Sequence, residues 1–149
     1  MTRVLSPVTG RAVGLAGVPD QVFAQAMVGP GTAVDPERGP GYAIAPVTGK
    51  IVKLHPHAYV VVDSENHGVL VHLGIDTVQL KGAGFELLAT QGEAVTAGQP
   101  LVRWDPAVIE AGGRSPICAV VALDAGDGAL TDVVESGEVT KGAELFTWS

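Results

Sequence analysis

The apolar and polar positions of the chain mark out short strands separated by turns. Residues 58–62 read Ala-Tyr-Val-Val-Val, and a second apolar run at 69–73 reads Val-Leu-Val-His-Leu. Continuous apolar runs of this length suit strands covered on both faces. Between them stands the polar turn Asp63-Ser64-Glu65-Asn66-His67-Gly68, so the two runs predict a hairpin, with His67 exposed in its turn. A turn centred on Ser64-Glu65 sets His57 directly opposite His72. Opposed residues share one face of a sheet, with Cβ atoms about 5 Å apart. A lone histidine in an apolar run is usually a paired core residue. Two that meet on one surface point instead to a metal pair, an acid–base pair, or a phosphohistidine with its helper.

The pattern also repeats. Leu5-Ser6-Pro7-Val8-Thr9-Gly10-Arg11-Ala12-Val13 returns as Ile44-Ala45-Pro46-Val47-Thr48-Gly49-Lys50-Ile51-Val52. Farther on, Gly92-Glu93-Ala94-Val95 and its continuation to Trp104 match Gly137-Glu138-Val139 and its continuation to Trp148. Two copies of each unit predict two similar halves packed face to face, with Trp104 and Trp148 filling the cores of the halves. Helix is expected only in pieces: one or two turns within residues 19–27, closed by Gly29-Pro30-Gly31, with further candidates at 83–90 and 106–111. Residues 30–40 read as loop. The predicted fold is all-β, an antiparallel β-sandwich with an internally duplicated motif and a few short helical turns. Residues 1–149 form a single domain on this reading.

Composition narrows the function. A net charge of −7 argues against nucleic acid and anionic membranes as partners and favours a basic protein. The single cysteine, Cys118, makes no intrachain disulfide and reads as a small buried hydrophobe. No signal peptide precedes Val4 and no apolar run is long enough to span a bilayer, so the chain is expected in the cytoplasm.

Several motifs together resemble the glucose-type enzyme IIA of the bacterial phosphoenolpyruvate:sugar phosphotransferase system. They are Val18-Pro19-Asp20 with Val22-Phe23-Ala24, Met27-Val28-Gly29, Ala45-Pro46-Val47-Thr48-Gly49 and His57-Ala58. The longest is Val71-His72-Leu73-Gly74-Ile75-Asp76-Thr77-Val78-Gln79-Leu80-Lys81-Gly82, followed by Gly84-Phe85. The resemblance runs from Val4 to Trp148 and implies an antiparallel β-sandwich that acts as a phosphocarrier. It puts the phosphorylated histidine at His72 and the second active-site histidine at His57. Phosphate would come from the carrier protein HPr and leave for a cysteine on an enzyme IIB domain of the sugar permease. Val22, Phe23 and Met27 match the family's apolar docking face. Asp20 and Asp76 match its acidic rim, which meets arginines of HPr. From the residues alone, Met27 also fits a core position, Asp20 a helix cap, and Asp76 the cap of a turn. The resemblance further implies a monomer, regulatory target proteins bound according to phosphorylation state, and no cofactor. Zinc held by His57, His72 and a partner's carboxylate is the one metal it allows.

One departure stands out. Where the family places a small polar residue two positions before the site histidine, this chain has His55. His55-Pro56-His57 with His72 and Asp76 therefore offers metal-ligand spacing like that of lysostaphin-type zinc peptidases. Here the two elements come in the reverse chain order and no export signal is present, so the phosphocarrier reading is preferred. A biotinyl or lipoyl carrier fails because no Met-Lys or Asp-Lys dipeptide occurs.

Overall fold

A computed structural model describes residues 1–149. The first half contains strands β1 (Thr2–Leu5) and β2 (Gly10–Ala12), a 3-10 turn at Leu15–Gly17, and helix α1 (Gln21–Ala24). Strands β3 (Gly31–Pro36), β4 (Gly41–Ile44), β5 (Gly49–His55), β6 (Ala58–Val62) and β7 (Gly68–Leu73) follow. After a second 3-10 turn at Thr77–Leu80 come β8 (Phe85–Leu87), β9 (Ala94–Val95) and β10 (Pro100–Trp104). Helix α2 (Pro106–Ala111) leads to β11 (Cys118–Ala122), β12 (Leu130–Thr131), β13 (Glu138–Val139) and β14 (Glu144–Trp148).

One eight-stranded sheet runs β13-β2-β3-β11-β7-β6-β5-β9, and two three-stranded sheets run β1-β14-β12 and β4-β10-β8. Every strand pair is antiparallel. The order is symmetric about the β11/β7 pair: β2 with β13 at one end answers β5 with β9 at the other. The two small sheets answer each other in the same way. The duplicated sequence units are the strands this symmetry exchanges, so the repeat is a repeat of structure.

Alternation along the central strands divides their side chains between two apolar layers. Val69, Val71, Leu73, Cys118 and Val120 enter the main core with Trp104, Leu145, Phe146 and Trp148. Ala119 and Val121 enter a smaller cluster on the other face, with Leu15, Val18, Phe23, Ala33 and Ile75. Strand β11 is buried throughout for this reason, and burial raises the Cys118 thiol pKa, leaving it an inert core residue. Both tryptophans are core residues as expected.

Four expectations are corrected. The hairpin register places Ala58, not His57, opposite His72. His57 lies in the turn after β5, where its carbonyl accepts from the Leu73 N–H at 2.7 Å. Residues 31–36 form a strand rather than loop. Thr32, Ala33 and Val34 supply buried side chains there, and Gly31 is needed because a Cβ would meet the Val120 carbonyl oxygen at 2.1 Å. Residues 85–87 form a strand rather than helix, since Phe85 pairs with Trp104 and stacks on its ring at 5.9 Å. His67 is half-buried, not free in solvent, with its ring lying on Trp148 at 4.0 Å between centroids.

Tyr59 joins the large sheet to a small one: it is fully buried and its hydroxyl donates to the Ile44 carbonyl at 2.7 Å. The strand partner of Ile44 is Pro100, which has no N–H to offer. Tyr59→Phe removes this buried hydrogen bond between the sheets, so it should destabilise the fold by about 1–2 kcal/mol. The check is urea denaturation, where the midpoint should fall while the slope stays unchanged.

Candidate functional site

His72 stands on β7 facing away from the main core, in the middle of the symmetric sheet. Its strand neighbours are Ala58 on β6 and Ala119 on β11, two small residues that leave space above the imidazole. The chain then turns sharply at Gly74, whose φ of 80° belongs to glycine. A Cβ there would meet Thr77 Cγ2 at 2.6 Å and the Ser115 carbonyl oxygen at 3.0 Å. Buried Thr77 locks the turn by donating its hydroxyl to the Leu73 carbonyl at 2.8 Å, and Ile75 N–H donates to the Ser115 carbonyl at 2.8 Å.

The turn brings the Gly74 carbonyl to 2.6 Å from His72 Nδ1. A carbonyl can only accept, so Nδ1 carries the proton and Nε2 keeps its lone pair. Around the ring, His57 stands edge-on with centroids 5.2 Å apart, and Phe23 leans on it at 5.2 Å. His55 stacks on His57, with centroids 5.8 Å apart. The five main cavities of the protein have none of these histidines in their walls. His72 itself is half-buried.

Comparison with known proteins gives the family and the fold. The family described as "phosphoenolpyruvate-dependent sugar phosphotransferase system, EIIA 1" matches residues 2–128. The chain belongs to this family. It is similar to the glucose-specific EIIA component of Staphylococcus aureus, with 33% identity over 141 residues, 93% of this chain and 84% of that one. It is 35% identical over 145 residues to the glucoside-specific EIICBA component of Staphylococcus carnosus. It is 38% identical over 141 residues to the N-acetylglucosamine-specific EIICBA component of Klebsiella pneumoniae. It covers only about a fifth of those two longer proteins, 20% and 21%. The solved glucose permease IIA from Mycoplasma capricolum superposes with a TM-score of 0.86 at 34% identity, covering 97% of this chain and 93% of that one. The chain is thus a glucose-type enzyme IIA with the β-sandwich of its type, a component of a phosphotransferase system.

In this enzyme IIA His57, Phe23, Asp20 and Asp76 gather around His72, though not by the expected strand pairing, while Met27 lines a cavity with Asp124 and Gly126. Asp20 N-caps α1, with its carboxylate accepting from the Val22 N–H at 2.9 Å, and its charge also reaches His72. Asp76 is exposed in a left-handed conformation, caps nothing with its side chain, and likewise acts on His72 through its charge. Phe23 is buried, whereas Val22 and Met27 are 43% and 67% exposed, which removes Met27 from the core. The sequence reading passed over Val78, 60% exposed on the 3-10 turn after Asp76. The available signal was the strict alternation beyond Gly74, which buries Ile75 and Thr77 and turns Asp76 and Val78 outward.

Burial lowers the pKa of His72, opposed by the Gly74 carbonyl and the two aspartates. His57 falls further, to about 4, through burial and the neighbouring positive charge of His72 and His55. Both imidazoles are neutral at neutral pH. Because the unfolded chain takes up these protons at higher pH than the folded one, the protons bind preferentially to the unfolded state between about pH 6.5 and 4. Stability should therefore fall as pH drops through that window. Urea unfolding at pH 7 and pH 5 should show it, with a smaller difference in His57→Gln.

Proposed function

We propose that His72 is the phosphoryl acceptor of this enzyme IIA and that His57 stabilises the phosphate it carries. The observation that carries this reading is the 2.6 Å contact of His72 Nδ1 with the Gly74 carbonyl, which leaves Nε2 as a neutral nucleophile, with the His57 ring 5.2 Å from that of His72. The donor is the phosphohistidine of HPr. As the His72 Nε2 lone pair forms the new P–N bond, the donor's P–N bond breaks and its electron pair returns to the donor ring. Charge that develops on the His72 ring is relayed along Nδ1–H to the Gly74 carbonyl. His57, neutral and able to donate one N–H, meets a phosphoryl oxygen. Both rings are held by packing before the partner arrives, so positioning and electrostatics supply most of the catalysis. Phe23 and the other apolar neighbours keep water from the labile bond.

The second transfer runs to the cysteine of an enzyme IIB domain. The EIICBA names of two relatives support a IIB and permease partner for this chain. Exposed Val22 on the helix that Asp20 caps, together with Asp76, supports a docking rim, apolar in part and acidic in part. Loading phosphate adds negative charge within that rim, which supports a regulatory role in which targets are bound according to phosphorylation state. No cofactor enters this scheme. The cycle belongs in the cytoplasm, and no helix of the chain is long and apolar enough to cross a membrane.

The test uses enzyme I, HPr and phosphoenolpyruvate with intact-mass detection. Wild type should take up one acid-labile phosphate and His72→Ala none. His57→Ala should still be loaded at His72 but should lose at least a hundredfold in transfer to IIB, as expected for a removed transition-state donor. Normal onward transfer by His57→Ala would remove that residue from the mechanism.

A further inference from the structure

At the opposite end of β7, the β6–β7 turn gathers a second set of polar groups. Asp63, Glu65 and His67 each present a ligand atom within 4.8 Å of the other two. All three aim at one point, the hydroxyl of Thr2. His67 Nδ1 lies 2.8 Å from it and Glu65 Oε2 2.9 Å, while Asp63 Oδ2 is in close contact. Thr2 is only 5% exposed. A hydroxyl has one proton and an ionised carboxylate has none, so two carboxylate oxygens compete for a single donor. Burial raises the Asp63 pKa, but the Thr2 hydroxyl and the N–H groups of His67 and Glu65 outweigh it and hold it below the usual value. The chain's amino group and Thr2 lower Glu65 in the same way. Two anions and an imidazole thus face one point; the chain's amino group takes Glu65 Oε1 at 2.5 Å and leaves Oε2 turned toward Thr2.

The geometry points to a divalent-cation site of zinc type at this turn, with Asp63 Oδ2, Glu65 Oε2 and His67 Nδ1 as ligands and the Thr2 hydroxyl beside them. The mixed nitrogen and oxygen donors suit such an ion. The ligands are also held in place. Asp63 Oδ1 accepts from the N–H groups of Glu65 at 3.0 Å and His67 at 2.9 Å, which fixes the carboxylate. The His67 ring lies flat on Trp148, with centroids 4.0 Å apart and planes 5° apart, which fixes the imidazole. Thr2 and Trp148 are themselves register partners of β1 and β14. An ion here fastens the first strand and the last to the hairpin that carries His72 at its other end. The role is structural and does not depend on the phosphocarrier reading.

Calorimetric titration of untagged protein with Zn²⁺ tests the site, in wild type, Asp63→Asn, His67→Gln and His72→Gln. One ion should bind wild type and His72→Gln alike, and affinity should fall at least tenfold in Asp63→Asn and His67→Gln. At a hundredfold excess over Kd, the ion should raise the thermal midpoint by about 5–10 °C. Histidine side-chain ¹H–¹⁵N spectra of wild type need no variant to fold, and Zn²⁺ should move the Nδ1 resonance of His67. Binding lost only in His72→Gln would place the ion on the His57–His72 pair and overturn the proposal. So would the absence of binding tighter than millimolar, which would leave Thr2 as the centre of a hydrogen-bonded latch alone.

Discussion

The hydrogen bond from His72 Nδ1 to the Gly74 carbonyl is the constraint on which the site depends. It selects the tautomer and leaves the lone pair on Nε2, the nitrogen that the proposed function would load. The bond exists because the chain reverses within two residues of the histidine, and only glycine fits that reversal between Thr77 and Ser115. Thr77 then holds the reversal shut from within the core. A side chain with ordinary chemistry thus gains a defined role from the backbone that follows it.

The duplicated sandwich supplies the setting. Symmetry puts β11 and β7 at the centre of the large sheet, the position least able to move. The α1 segment and the loop around Leu15 and Val18 cover the outer face of that centre but stop at Phe23. His72 lies at the border between the covered part and open solvent. In the proposed cycle, a partner protein docking over that border would complete the burial that Phe23 begins.

Much of this was legible in the residues. The apolar runs around 58–62 and 69–73 showed the hairpin, and the paired Pro-Val-Thr-Gly units showed the duplication, because each reflects a burial pattern local to the strand. The register was off by one residue because His57 belongs to the turn before β6, where strand alternation no longer governs side-chain direction. The histidines meet anyway, through the turn rather than through opposed positions. Residues 31–36 were misread because Pro30, Gly31 and Pro36 look like turn residues. Gly31 is there for a close approach to β11, which is visible only once the neighbouring strand is in place. From sequence His67 reads as a solvent-exposed turn residue, because its partners, Thr2 and Trp148, come from the two ends of the chain.

The most direct measurement is ¹⁵N–³¹P correlation on the phosphorylated protein, which identifies the nitrogen bonded to phosphorus. The account predicts a single phosphoramidate on His72 Nε2, with Nδ1 still protonated and bonded to Gly74. Phosphate on Nδ1, or on His57, would contradict it, because the Gly74 carbonyl would then have no part in choosing the nucleophile.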